Sequence, residues 1–128
     1  MSHKSAIQNP VEFFVAHGFL HDSEIIDICC RILNGIVEVS VDDLNAAFLD
    51  LPNDPGRWPG KLIFEGAKTL NSNLYFVDGV VISKSLCFVN NGYFLMEFEL
   101  RYGGFFGEGR HRASIDFTFD KLFVTATL

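Results

Sequence analysis

Hydrophobic and polar residues alternate along most of this chain with a period of two. Ile26, Ile28, Cys30 and Ile32 are expected on one face of an extended run that starts near Ser23 and Glu24, with Asp27, Cys29 and Arg31 on the other. Asn34-Gly35 follows, and Val37, Val39 and Val41 then alternate with Ile36, Glu38 and Ser40. Asn-Gly accepts the positive φ of a type I′ turn, so the two runs predict a tight hairpin. Strands are also expected at 61–65, at 69–77 before a turn at Asp78-Gly79, and at 80–89 before Asn90-Asn91-Gly92. Phe94, Met96, Phe98 and Leu100 alternate with Leu95, Glu97, Glu99 and Arg101, the pattern of a half-buried antiparallel strand. Ile115, Phe117 and Phe119 repeat it on a return strand, and Asp120-Lys121 turns the chain into a last strand over 122–127.

Two segments break the rhythm. Asn9 as N-cap and Pro10 at the first helical position predict about two turns of helix, ended by Gly18. Residues 42–60 offer one brief helical turn and then Pro52, Pro55, Gly56, Pro59 and Gly60, a long connection of the kind that often carries function. The expected fold is mainly β, an antiparallel β-sandwich or open barrel built from hairpins, with one short N-terminal helix. At 128 residues it is a single domain, 1–128.

Composition sharpens this picture. Aromatic residues are 14% of the chain, and Phe supplies 14 of them against three Tyr and one Trp. With a mean hydropathy of +0.22, so Phe-rich a chain suggests a homodimer formed through a Phe-rich surface. Phe105 and Phe106, in the glycine-rich stretch 102–110, would be costly to leave wet and are assigned to the core or that dimer. The stretch lacks a P-loop ending. No apolar run is long enough to cross a bilayer, and residues 1–10 lack a signal peptide's features.

Charge is uneven. Residues 1–60 hold nine carboxylates and three cations, whereas 61–128 hold seven of each. A phosphate backbone would be repelled by the acidic half, which argues against nucleic acid and favours a basic protein partner. Cys29, Cys30 and Cys87 form no metal or redox spacing and read as buried free thiols of a reducing cytoplasm.

Three groups are candidates for chemistry. His17, His21, Asp22 and Glu24 are the densest set of potential metal ligands or acid–base groups, although His-Asp-Ser-Glu also suits a structural turn. Asp42, Asp43, Asp50 and Asp54 with Trp58 form an acidic loop bearing an aromatic anchor, without the spacing of an EF-hand. Arg110 and Arg112 share a strand face and are expected to pair with Glu97 and Glu99.

The phrases Phe19-Leu20-His21-Asp22-Ser23-Glu24-Ile25 and Val41-Asp42-Asp43-Leu44-Asn45-Ala46-Ala47-Phe48 carry a family likeness. So do Leu51-Pro52, Pro55-Gly56 and Leu62-Ile63-Phe64-Glu65-Gly66. Together they resemble a group of small bacterial proteins, some of them immunity partners of secreted toxins. The likeness spans about residues 19–66 and implies no enzyme activity, cofactor or catalytic residue. The expected function is a non-enzymatic protein-interaction module of the bacterial cytoplasm, of the immunity-inhibitor kind. Asp42, Asp43, Asp50, Asp54 and Trp58 would meet the partner. The alternative is a small metal-dependent hydrolase or ligand-binding barrel using His17, His21, Asp22 and Glu24.

Overall fold

A computed structural model describes residues 4–74, 80–102 and 113–126. In chain order these form β1 (Lys4–Ile7), α1 (Pro10–Ala16), β2 (Ile25–Arg31), β3 (Ile36–Val41), β4 (Gly60–Glu65), β5 (Leu70–Asn73), β6 (Val80–Asn90), β7 (Tyr93–Tyr102), β8 (Ala113–Phe119) and β9 (Lys121–Ala126). The helix starts as its sequence predicts, with the Asn9 side chain accepting from the Glu12 backbone N–H at 3.2 Å and Pro10 behind it. All strand pairs are antiparallel. One sheet runs β1-β9-β4-β3-β2 and the other β5-β8-β7-β6.

The inner faces of the sheets make one core. Val37, Val39, Val41, Leu62, Phe64, Leu122 and Val124 come from the first sheet; Ile82, Met96, Phe98, Leu100, Ile115, Phe117 and Phe119 come from the second. Phe64 is its hub. Its ring centroid lies 4.7 Å from Phe117 and 4.9 Å from Phe119 in edge-on contacts, and 6.5 Å from Phe14 of α1. The hydrophobic effect stabilises each fully buried ring by about 1.5–3 kcal/mol. These Phe side chains therefore serve the interior, and among the described residues Phe19 and Phe88 are the exposed ones. Phe105, Phe106, Arg110 and Arg112 lie outside the described residues.

The first hairpin differs from expectation in two ways. Arg31 pairs with Ile36, so the connection is the four residues Ile32 to Gly35, closed by Gly35 at φ +63°, and not a two-residue Asn-Gly turn. A bulge between Ile25 and Asp27 also shifts the phase of β2. Ile28 packs partly against the core, while Ile26 and Ile32 are 63% and 91% exposed. One extra residue in a bulge is enough to reverse which face a side chain joins.

Two strand assignments also change. β1 was not foreseen, because four residues next to a helix cap carry too short an alternation. β9 follows β8 after Asp120 alone, yet pairs with β1 and β4, so the turn switches sheets instead of making a hairpin. Of the strand expected at 69–77, Leu70–Asn73 is observed, and residues 75–79, with the turn at Asp78-Gly79, lie outside the described residues. The buried-thiol expectation holds for Cys87, whose pKa burial pushes up to about 12, whereas Cys29 is half-buried and Cys30 exposed. No helix among the described residues is long and apolar enough to cross a membrane.

Candidate interaction face

The segment between α1 and β2 is strained. Gly18, Phe19, Leu20 and Asp22 have φ of +61°, +57°, +55° and +73°, a left-handed conformation that costs an L-residue about 1–2 kcal/mol. Tertiary contacts hold it. Leu20 is fully buried, and the Ser85 hydroxyl donates to the Phe19 carbonyl at 2.6 Å. The Asp22 carboxylate pairs with Arg101 and lies 3.2 Å from His21 Nδ1.

The same segment joins the sheets. The Asp22 N–H donates to the Ile82 carbonyl at 2.9 Å, the Ile82 N–H to the Ser23 carbonyl at 2.7 Å, and Glu24 forms an antiparallel bridge with Val81. β2 belongs to one sheet and β6 to the other, so His-Asp-Ser-Glu closes one side of the sandwich.

The acidic loop packs beside this seam. Fully buried Ser23 donates its hydroxyl to the Asp43 carbonyl. The Glu24 N–H donates to Asp42 Oδ1 at 2.8 Å, and the Asp42 N–H to the Glu24 carbonyl at 3.0 Å. Asp43, 9% exposed, accepts from the Asn45 and Trp58 N–H groups at 2.8 and 2.9 Å through one carboxylate oxygen. The Asn45 amide reaches the Gly56 carbonyl at 2.9 Å. A loop rich in proline and glycine is thereby pinned at its neck by Asp42, Asp43 and Asn45.

The expected docking residues consequently divide. Asp43 is turned into the fold, and Asp42 is half-buried with one oxygen engaged. Asp50 and Asp54 are exposed at the loop's outer turn, where Asp54 Oδ1 also accepts from the Gly56 N–H at 2.8 Å. Trp58 packs partly against the core, its ring centroid 5.6 Å from that of His17. Between and beside the outer carboxylates, Leu49 and Leu51 are 63% and 48% exposed; composition did not single them out, because periodicity has no meaning in a loop.

His17 lies apart from the other candidate ligands. Its ring is 4.4 Å from Phe13, and its buried Nδ1 has no hydrogen-bond partner. Together with Ala16, Asn45, Phe48, Asn53 and Pro55 it lines an open cavity of about 380 Å³. Asp22 is committed to Arg101 and the Glu24 backbone to Asp42 and Val81. Among the described residues no three His, Cys, Asp or Glu side chains converge as a metal site would require. The face presents an apolar and acidic surface over a small recess.

Compared with known protein families, with curated proteins and with solved structures, the chain matches none.

Proposed function

We propose that this protein is a non-enzymatic interaction module, an immunity-type inhibitor that binds a basic protein partner in the bacterial cytoplasm. The observation that carries the reading is the outer turn of the 46–55 loop. Leu49, Asp50, Leu51 and Asp54 are exposed together there, while the neck of the loop is held by Asp43 and Asn45. Exposed leucines supply apolar area on binding, and the flanking carboxylates steer a cationic surface toward them. A pinned loop loses little conformational freedom when it docks, which favours affinity. Inhibition then follows from occlusion and needs no catalytic group.

The test is genetic. Deleting this gene alone should be toxic, and deleting it with the neighbouring reading frame that encodes the toxin should restore growth. Equal growth of the single and double deletions, under conditions where the neighbour is expressed, overturns the inhibitor reading.

A further inference from the structure

We propose that a second copy of this chain docks along the free edge of β2, antiparallel, about a two-fold axis passing beside Cys29. β2 is the outermost strand of its sheet, paired with β3 on one side. On the other side the bridge from Glu24 to Val81 occupies only its start, and no other described strand pairs with it. An edge strand with unpaired backbone groups is a template for another strand, and proteins usually blunt such edges with charges or bulges. β2 has both, and its charges are arranged so that they match a copy of themselves.

The register decides this. A two-fold axis at Cys29 sets Asp27 opposite Arg31 of the second copy and Ile28 opposite its Cys30. Each charge then meets its opposite, and the interface holds two such pairs. Among the described residues Asp27 has no ion pair, and Arg31, whose side chain is 55% exposed, touches Glu38 at 3.0 Å through one nitrogen of a five-donor guanidinium. Glu38 is also held by Lys61 at 3.2 Å, so sharing Arg31 leaves it paired. Moving the axis by one residue either way sets both charges opposite uncharged side chains. Moving it by two sets Asp27 against Asp27 or Arg31 against Arg31.

Exposure agrees with the same register. Ile26, Ile32 and Leu33 are 63%, 91% and 100% exposed, and they flank the charged pair at both ends of the strand. Self-pairing adds backbone hydrogen bonds and covers apolar area at the ends of the strand, extending one five-stranded sheet into its copy. The inference is independent of the partner proposed for the 46–55 loop.

Sedimentation of the full chain over a concentration series tests it, with Asp27→Arg and with disulfide trapping of Cys30→Ser as the second measurement. The wild-type chain should dimerise. Asp27 is exposed, so Asp27→Arg should fold, with the wild type's melting temperature at concentrations where both are monomeric, yet set two like-charge pairs in the interface and weaken the dimer about tenfold or more. With diamide as oxidant, Cys30→Ser should form a Cys29–Cys29 dimer, because directly opposed residues across antiparallel strands bring their Cβ atoms to about 4.5–5.5 Å, from which a small movement at a free edge reaches the roughly 3.8 Å of a disulfide. A chain that stays monomeric throughout overturns the proposal. So does a dimer that neither Asp27→Arg weakens nor Cys29 traps.

Discussion

Replacing Asp43 by alanine separates a structural carboxylate from a docking one. The side chain is 9% exposed, and one of its oxygens takes two backbone donors, Asn45 N–H at 2.8 Å and Trp58 N–H at 2.9 Å. Alanine removes that acceptor and leaves both amides facing a site too enclosed for free hydration. A buried donor without a partner costs about 1–3 kcal/mol, so Asp43→Ala should destabilise by about 3 kcal/mol. Against a total of about 5–15 kcal/mol this is a large fraction. Asp43→Asn keeps an oxygen at the same place and should lose about 1 kcal/mol, since the bonds persist without the charge. Urea denaturation measures both, with Asp50→Asn as the exposed control expected within about 0.5 kcal/mol of wild type. Amide exchange at Asn45 and Trp58 should accelerate in Asp43→Ala and not in the control. If Asp43→Ala is no more destabilising than Asp50→Asn, Asp43 does not pin the loop, and the division of the acidic residues drawn above is wrong.

Phe64→Ala should cost about 4 kcal/mol in the same assay, because four rings pack around a fully buried side chain and cannot close the cavity together; a loss under about 1 kcal/mol would deny it the role of hub. Cys87 has a pKa raised by burial from 9.0 to about 12, so between these values the unfolded chain has released its thiol proton and the folded chain has kept it. Stability should therefore fall as pH rises through that window, and Cys87→Val should remove this part of the slope while leaving stability below it little changed. In thiol labelling at neutral pH, Cys87 should react last; labelling as fast as Cys30 would show that its burial is breached.

Period-two alternation identified most of the sandwich because a sheet with one buried face must alternate. β7 and β8 are nearly as expected, since Phe94 to Leu100 and Ile115 to Phe119 lie within long, unbroken runs. The failures occur where one residue changes the geometry. A bulge at Ile26 exposes side chains that alternation had buried, and Asp120 directs β9 into the opposite sheet. Both depend on which strand lies alongside, information that local pattern does not contain. The partition of the acidic loop was equally hidden. Asp43 and Asp50 are the same residue type seven positions apart, and only the place of the Trp58 amide makes one of them structural.

The most chemical-looking letters of this chain, His-Asp-Ser-Glu and Asp-Asp-Leu-Asn, meet each other in space. Ser23 reaches the Asp43 carbonyl and Glu24 exchanges hydrogen bonds with Asp42, at the place where the entry to β2 of one sheet is bridged to the start of β6 of the other. A bridge this short between two sheets offers few backbone partners, so short polar side chains must supply them. Three left-handed L-residues beside that bridge are tolerated because Leu20 is buried and because Ser85 and Arg101 tie down Phe19 and Asp22. The polar motif is therefore accounted for by closure of the fold. What closure of the sheets does not use is the exposed remainder: Asp50 and Asp54 beside Leu49 and Leu51 on the loop, and Asp27 and Ile26 on β2 with Ile32 just past its end. Water-facing apolar side chains next to exposed carboxylates are where binding partners are to be sought.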